Sequence, residues 1–177
     1  MSFLLFPDLL FDRFDELSAA YLKEKGVKLL LSDLDNTLAL HETARPTDGV
    51  RAWVKSLTDA GIGVMIVSNN RSPARVDAYC HDLGIPYVGH AGKPKRGKML
   101  EAMRRFGAKP EETALLGDQI FTDVLGARRC GFQSFCVEPV CGRDSLWHWT
   151  AYWLQNPFRI TARRRRKKEK KDLQKNR

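Results

Sequence analysis

Residues 27–40 read VKLLLSDLDNTLAL, and this stretch decides the fold. Its first six residues form a short apolar run of the kind that a buried parallel strand needs. The run ends at Asp33, and a second carboxylate, Asp35, follows two residues later. An apolar strand that ends in a carboxylate-rich turn is typical of α/β proteins, whose functional groups gather at the carboxyl ends of the strands.

Strand-like and helix-like patterns alternate downstream of this first strand. Further strands are predicted at 64–67, 86–88, 114–116 and 132–137, and helices at 48–59, 73–83, 95–106 and 123–130. Thr47 or Asp48 would cap the first of these helices, and Gly61 would end it. We therefore expect an α/β fold, a Rossmann-like, doubly wound three-layer sandwich with a mainly parallel five-stranded sheet.

Length and charge set limits on the kind of protein. The 177 residues suit one domain, and 43% hydrophobic with 29% charged residues is a globular composition. Most of the net charge of +9 lies in residues 161–177, which carry ten Lys or Arg and two acidic residues. No apolar run approaches the roughly 18 to 20 residues that span a bilayer. The apolar N-terminus lacks a basic region and a cleavage site, which argues against a signal peptide.

The chain is expected to divide into four segments. These are an amphipathic N-terminal segment at 1–26, an α/β domain at 27–145, a Trp-rich segment at 146–160 and a basic tail at 161–177. Such a run of like charges is expected to be disordered in isolation, although it could continue a helix. The cysteines contain no CxxC pair, so they are expected to be buried or free thiols in a reducing cytoplasm: Cys80, Cys130, Cys136 and Cys141.

Polar side chains follow four of the predicted strands. They are Asp33, Asp35 and Thr37 after the first, Ser68 and Asn69 after the second, Lys93 in a Gly-Lys-Pro turn, and Asp118 with Asp123. Carboxylates from neighbouring strand ends would repel one another unless a cation lies between them, and Mg²⁺ is the simplest choice. A serine hydroxyl and a lysine ammonium beside such a cluster would bind an anion with several oxygens, such as a phosphate.

These four sets of residues, in this order and at this spacing, resemble the motifs of the haloacid dehalogenase-like phosphatases. The resemblance covers about residues 27–140 and implies that Asp33 is a nucleophile that forms an aspartyl-phosphate. Asp35 would be the general acid and base. Mg²⁺ would be held by the Asp33 carboxylate, the Asp35 main-chain carbonyl and Asp118, with Asp123 in support. Because dehalogenases and transport ATPases lack the second aspartate, Asp35 favours phosphomonoester hydrolysis.

The same resemblance assigns the groups that bind the anion. Ser68 and the main-chain amide of Asn69 would bind phosphate oxygens, and Thr37 is expected among the substrate-binding residues. Lys93 would offset the charge of the nucleophile and the phosphoryl group. Two nearby lysines are alternatives for that role, Lys95 and Lys98. Taken singly, several of these residues could serve only as turns or caps, but caps do not explain three aspartates after strands.

The spacing between motifs predicts an open site. Haloacid dehalogenase-like enzymes usually insert a cap domain between these motifs, whereas residues 38–67 and 71–92 have room for only a loop, a helix and a strand. Open sites in this family favour bulky substrates. The stretches FPD, DLDNTL, SNN and GDQIFTDVLG are similar to those of the small bacterial YqeG family. That family is similar to the phosphatidylglycerophosphate phosphatases, which implies a lipid-phosphate substrate.

The ends of the chain bear on the partner and the location. Apolar, Trp-rich and polybasic stretches are the parts of an interfacial anchor, so we expect binding to an anionic membrane surface through the basic tail. The protein would then be cytoplasmic, peripheral on the inner face of the cell membrane. The tail suits nucleic acid equally well, through phosphate contacts. The alternatives are a phosphatase for a soluble nucleotide, sugar phosphate or phosphoprotein, and an RNA- or ribosome-associated protein.

Overall fold

A computed structural model describes residues 4–70, 72–140 and 146–175. Within them, six strands form one parallel sheet in the order β1-β6-β5-β2-β3-β4. The strands are β1 Leu9–Phe11, β2 Leu29–Ser32, β3 Gly63–Val67, β4 Tyr87–Val88, β5 Thr113–Gly117 and β6 Gln133–Val137. The helices are α1 Ala19–Glu24, α2 Asp48–Asp59, α3 Pro73–Leu83, α4 Gly97–Arg105, α5 Leu125–Cys130 and α6 Leu146–Lys175. The predicted Rossmann-like α/β architecture is confirmed.

The sheet has one strand more than the five expected. The additional strand, β1, comes from the N-terminal segment and pairs in parallel with β6, with Leu9 opposite Phe135. All three residues of β1 are buried. A run of three apolar residues has no visible alternation, so its periodicity did not reveal a strand. Residues Leu9–Phe11 of the N-terminal segment are thus part of the sheet.

Helices cover both faces of the sheet and make it the middle of three layers. On one face, Leu57 of α2 shares a buried cluster with Leu30 of β2. On the other face, Met99 of α4 and Ala127 of α5 share a cluster with Leu31. Neighbouring residues of β2 therefore point to opposite sides, as strand geometry requires.

Local signals place the helix ends near the predicted positions. The Thr47 side chain accepts a hydrogen bond from the Val50 amide at 3.3 Å and caps α2, which ends at Asp59. The helix α3 ends at Gly84, whose φ of 66° is favourable for glycine. Between β2 and β3 the chain forms a loop and α2, and the described residues between β3 and α4 add only α3 and β4. The carboxyl edge of the sheet therefore has no inserted cap within the described chain.

The C-terminal region differs from the expectation of a Trp-rich segment followed by a disordered tail. Both belong to the single helix α6, which runs through Lys175. Gln155, Arg159 and Ala162 are buried at helical spacing, and Ala162 shares a cluster with Leu10 of β1. Lysine and arginine are good helix formers, so a packed helix propagates into the basic stretch. Trp147 and Trp149 are not among the side chains that the structure describes.

Each helix in the described part of the chain, including α6, is too short or too polar to cross a bilayer. The cysteines match the expectation of buried, free thiols at three positions: Cys80, Cys130 and Cys136. Burial raises the pKa of Cys80 and Cys136 to about 12 in each case. Cys141 lies outside the described residues.

Candidate active site

The residues predicted to carry the chemistry meet in a cleft of about 240 Å³ at the carboxyl edge of the sheet. Loops after β2, β3 and β5 form its walls, and the turn before α4 closes one side. Its lining includes most of the predicted residues together with five polar neighbours: Asp33, Asp35, Asn36, His41, Ser68, Asn69, Asn70, Lys93, Gln119, Thr122 and Asp123.

Three buried carboxylates form what we call the carboxylate cluster: Asp33, Asp118 and Asp123. One oxygen of each lies within 4.8 Å of the others. Asp33 follows β2, and Asp118 follows the neighbouring strand β5, so sheet pairing itself brings the first two together. Oxygen donors of this kind suit a hard divalent cation.

Lys93 is the cation that the cluster already contains. Its Nζ lies 2.6 Å from Asp33 Oδ1 and 2.7 Å from Asp123 Oδ1, and the residue is only 5% exposed. Burial alone would lower the pKa of Lys93, but the carboxylates of Asp123 and Asp33 outweigh it and raise that pKa. The ammonium therefore stays charged. Lys95 and Lys98 are exposed, and Lys98 binds the Gly89 carbonyl instead.

One ammonium does not balance the charge of three carboxylates, and the pKa values of Asp33 and Asp118 reflect this. Burial, with the negative charge of Asp123 and Asp35, raises the pKa of Asp33 to about 6 although Lys93 opposes the shift. Burial and the carboxylates of Asp33 and Asp123 raise the pKa of Asp118 well above its ordinary value. A divalent cation would relieve this repulsion, so the donor set fits Mg²⁺ in both chemistry and charge.

Thr37 lies behind the cluster and not in the cleft. It is 1% exposed, and its Oγ1 donates to Asp33 Oδ2 at 3.4 Å and to Asp118 Oδ1 at 3.5 Å. This placement differs from the expected contact with substrate. A hydroxyl that donates to two carboxylates fixes their orientation relative to each other.

The SNN stretch after β3 forms a tight turn beside Lys93. Ser68 is buried, and its Oγ accepts a hydrogen bond from the Asn70 amide at 2.9 Å. The Asn69 side chain donates to the Lys93 carbonyl at 3.0 Å and accepts from the Lys93 amide at 2.9 Å. The Asn69 side chain therefore clamps the lysine turn, and its main-chain amide stays the group expected to meet phosphate.

Asp35 lies at the rim of the cleft, where several groups hold its carboxylate. Asn70 Nδ2 donates to Oδ2 at 2.7 Å, and Arg75 Nη1 lies 2.7 Å from Oδ1. His41 Nδ1 is 3.5 Å from the same Oδ1. Arg75 also donates to the main-chain carbonyls of Leu40 and Thr43, at 2.8 and 3.2 Å. One guanidinium therefore links the second aspartate to the loop that follows it.

Gly117 makes room for Asp123. A Cβ built on Gly117 would overlap the Asp123 carboxylate, so a larger residue cannot occupy this position without a shift. Oδ2 of the Asp123 carboxylate accepts a hydrogen bond from the Gln119 amide at 3.0 Å, and Oδ1 forms the ion pair with Lys93. The Gly-Asp pair at the end of β5 is therefore a steric requirement of the cluster.

Two arginines of the site were missed at the sequence level, Arg75 and Arg159. Arg75 lies in the first turn of α3, where nothing in the local pattern marks it. Arg159 is buried and donates to the main-chain carbonyl of Asp118. Helical spacing could have found it, because Gln155, Arg159 and Ala162 fall on one face of a helix. The mixture of tryptophans and basic residues hid that face.

Comparison with known proteins identifies the family. A sequence model described as haloacid dehalogenase-like hydrolase matches residues 5–131. The chain belongs to this family. It is 36% identical over 140 residues to "Probable phosphatase YqeG" of Bacillus subtilis, an alignment that covers 79% of this chain and 81% of that protein. The expectation of a haloacid dehalogenase-like phosphatase is therefore confirmed.

A plant phosphatase is similar to this chain in sequence, and a bacterial phosphatase of known structure is similar in fold. Phosphatidylglycerophosphate phosphatase 1 of Arabidopsis thaliana is 28% identical over 130 residues, which cover 67% of this chain and 36% of the plant protein. This chain thus spans about a third of that relative's length. The cobalt-bound deoxy-D-mannose-octulosonate 8-phosphate phosphatase of Haemophilus influenzae superposes with a TM-score of 0.52 at 23% identity, over 65% of this chain and 70% of its own. That similarity shows a common fold.

Proposed function

We propose that this protein is a Mg²⁺-dependent phosphomonoesterase that removes the terminal phosphate of phosphatidylglycerophosphate and leaves phosphatidylglycerol. The observation that carries the catalytic part is the buried ion pair between Lys93 and Asp33, at 2.6 Å, inside a cluster of three carboxylates that borders an open cleft. This arrangement keeps a nucleophilic carboxylate, a fixed positive charge and room for a cation within one small volume.

The first step transfers the phosphoryl group to the protein. An oxygen of the Asp33 carboxylate attacks phosphorus, and the bond between phosphorus and the ester oxygen breaks. Asp35, in its protonated form, gives its proton to the departing alkoxide. The alcohol leaves, and Asp33 carries the phosphate as an acyl phosphate.

The second step returns the nucleophile. Asp35, now a carboxylate, takes a proton from a water molecule while the water oxygen attacks the phosphorus of the acyl phosphate. The bond between phosphorus and Asp33 breaks, and inorganic phosphate is released. The contacts of Asp35 with Asn70 and Arg75 hold it at the rim, on the side of the cleft that a leaving group would occupy.

Lys93 and the turn after β3 would bind the transferring phosphate. The Lys93 ammonium offsets charge on both the nucleophile and the phosphoryl oxygens. Ser68 and the main-chain amide of Asn69, in the turn beside Lys93, would add donors. The Asp33 and Asp118 carboxylates and the Asp35 carbonyl, with Asp123 in support, would hold Mg²⁺, which would supply further positive charge. We assign Thr37 the task of orienting Asp33 and Asp118.

Three observations support a lipid substrate over a soluble one. The described chain places no cap over the cleft, so a large substrate can reach Asp33. The chain resembles a protein named for phosphatidylglycerophosphate. The solvent-facing side of α6 also suits a membrane, because exposed apolar residues near the cleft are followed by a basic stretch.

We call this side of α6 the outer face. Its apolar part contains Trp153, Leu154 and Ile160, which are 57%, 68% and 41% exposed, beside Phe121 at 39%. Its basic part consists of exposed residues, of which Arg163 pairs with Glu138 and Arg165 donates to the Pro7 carbonyl: Arg163, Arg164, Arg165, Lys167, Lys168 and Lys171. Aromatic and aliphatic side chains insert at the lipid interface while basic side chains meet anionic headgroups, at about 1 kcal/mol each. The outer face would hold the protein on an anionic bilayer from its cytoplasmic side.

The proposal is tested by measuring phosphate release from phosphatidylglycerophosphate in mixed micelles and from a panel of soluble nucleotides, sugar phosphates and phosphopeptides. We expect turnover of the lipid that requires Mg²⁺ and that Asp33→Asn lowers by on the order of a thousandfold or more. Asp33→Asn is nearly isosteric, and a circular dichroism spectrum that matches the parent chain would assign the loss to the nucleophile.

Each alternative result has a definite meaning. Turnover of soluble esters without turnover of the lipid would keep the catalytic assignments and discard the lipid substrate. No turnover of any ester, with cellular function kept by Asp33→Asn, would favour an RNA- or ribosome-associated role.

The membrane part needs a test that leaves α6 intact, because Ala162 and Arg166 of the basic stretch contact the body of the protein. The triple variant Arg164→Gln, Lys167→Gln, Lys168→Gln changes only exposed positions. We expect binding to vesicles of anionic lipid to weaken by about tenfold or more, with hydrolysis of a soluble ester unchanged. Equal binding by the variant and the parent chain would remove the outer face from the proposal.

A further inference from the structure

Arg159 is a fully buried arginine that lies behind the catalytic cluster. It is 1% exposed, and its Nη2 donates to the main-chain carbonyl of Asp118. Its Nη1 donates to the Val137 carbonyl at 3.2 Å and lies 3.6 Å from a carboxylate oxygen of Glu138. One guanidinium from α6 therefore ties together the ends of β5 and β6.

A second side chain of α6 grips the same loop. Gln155, one turn before Arg159, is 4% exposed, and its Oε1 accepts a hydrogen bond from the Ile120 amide at 2.6 Å. Arg159 binds the carbonyl of Asp118, the candidate metal ligand, and Gln155 binds the amide of Ile120 two residues later. The loop that presents Asp118 is held by a helix that lies about 40 residues further along the chain.

The guanidinium itself is held in place by its neighbours. The Tyr152 ring lies 4.8 Å from the Arg159 guanidinium carbon, and the Tyr152 hydroxyl donates to Glu138 at 3.1 Å. Arg163 binds the other Glu138 oxygen at 2.6 Å. Arg159 is therefore confined on several sides, as a group that sets geometry must be.

Docking of α6 does not by itself require a buried charge. Ala162 and Phe158 already pack against Leu10 and Ile120 in an apolar cluster. Burial of a guanidinium is unfavourable unless its hydrogen bonds are made, and apolar residues of similar size often fill such positions equally well. The identity of Arg159 is better explained by what it binds than by the stability that it adds.

We propose that α6 completes the catalytic site, with Arg159 as a positioning residue that fixes the main chain at Asp118 and so sets the affinity for the divalent cation. The inference rests on the proposed Mg²⁺ site and goes beyond it, because Arg159 lies outside the residues 5–131 that match the family model. Partners of this kind, one shell behind a metal ligand, typically change metal affinity or activity by about 10- to 100-fold.

The test measures Mg²⁺ binding directly, by calorimetry on the full chain without substrate, and turnover of a soluble phosphate ester separately. Arg159→Met keeps the volume and the apolar contacts but removes both carbonyl contacts. We expect Mg²⁺ affinity to fall by about tenfold or more, so turnover should fall at limiting Mg²⁺ and recover as Mg²⁺ approaches saturation. Arg159→Lys keeps the charge without the fork of donors, so it should recover only part of the affinity.

The matched control is Arg104→Met, which removes an exposed arginine from the last turn of α4. It should bind Mg²⁺ as the parent chain does. If Arg159→Met fails to fold, Gln155→Met and Arg159→Lys decide, since each removes only part of the grip on the loop and should weaken Mg²⁺ binding by several-fold.

Unchanged Mg²⁺ affinity in these variants would overturn the inference, as would a parent chain that binds no Mg²⁺. Because binding is read without turnover, a parent chain that binds Mg²⁺ but hydrolyses no ester would sink the proposed function alone. The loss of affinity in Arg159→Met would still support the positioning role in that case.

Discussion

The groups that would touch the substrate and the groups that hold them come from different kinds of structure. Asp33, Lys93 and Asp118 lie in loops at the carboxyl edge of the sheet, where any doubly wound fold collects its functional groups. Arg75 and Arg159 reach the same edge from helices, α3 and α6, and bind behind the aspartates. The centre of the site thus follows from the fold of the sheet, whereas its support depends on how individual helices pack.

The largest effect is expected at the centre, from Lys93→Met. This variant removes the one ammonium that Asp33 and Asp123 share and leaves their buried charge uncompensated. Activity should fall by about 10²- to 10³-fold. The metal-free protein should lose about 3–5 kcal/mol of unfolding free energy in urea titrations, with part of it recovered by Mg²⁺.

Lys98→Met is the matched control for Lys93→Met. Lys98 lies on the same stretch but is exposed, and its ammonium donates to the Gly89 carbonyl. Its loss should change kcat by less than about twofold. If Lys98→Met were the more damaging of the two, the assignment of the catalytic lysine would be wrong.

A second test of the centre is Gly117→Ala, which adds one methyl group against the Asp123 carboxylate. Overpacking of this kind typically costs about 1–3 kcal/mol, and here it also displaces a partner of Lys93. We expect lower stability in urea together with about tenfold lower kcat. Gly97→Ala, where an added Cβ meets no atom within 4 Å, should be neutral or slightly stabilising. Equal behaviour of the two variants would contradict the steric argument.

The centre could be predicted from the sequence because its signals are local. An apolar run followed by Asp33 and Asp35 indicates a strand and its functional edge, and the same logic places Asp118 after β5. Strand pairing then brings Asp33 and Asp118 together without further information. The placement of Thr37 differs from the expectation, because a short sequence pattern does not say on which side of a carboxylate a hydroxyl will lie.

The helix residues that hold the site, Arg75 and Arg159, were not predicted, because their positions depend on tertiary packing. β1 is three residues long and shows no alternation, so its place at the edge of the sheet was not visible. The composition of the basic stretch predicts disorder, yet Ala162 packs against Leu10 of β1 and the helix continues through Lys175. Without the docked position of α6, only its helical spacing from Gln155 and Ala162 distinguishes Arg159 from its arginine neighbours at 163–166.

A smaller effect is expected from Arg75→Met, on the support of the general acid. The variant removes a contact of Asp35 at 2.7 Å and the anchors of the Leu40 and Thr43 carbonyls. Because Asp35 would protonate the leaving group, kcat should fall by about tenfold for alkyl phosphates and by less for an aryl phosphate, whose phenoxide leaves readily without a proton. Arg51→Met, which removes an arginine that pairs with Asp82, is the control. An equal loss on both substrates would argue against a role through Asp35.

The smallest effect concerns the pH dependence of stability, and it separates the two regions most directly. Burial raises the pKa of Asp33 from 3.8 to about 6, so the folded protein holds a proton that the unfolded chain has lost. The resulting stability is complete below the pKa of the unfolded chain and disappears as the pH rises through about 6.

In EDTA, the melting temperature should therefore fall by about 5 °C between pH 4.5 and 7. The fall should be smaller in Asp33→Asn and should persist in Arg75→Met, whose substitution lies outside the cluster. Mg²⁺ should restore stability at pH 7 in the parent chain, because a bound cation favours the ionised carboxylates. Parallel melting curves for the parent chain and Asp33→Asn across this range would place the repulsion elsewhere than at the nucleophile.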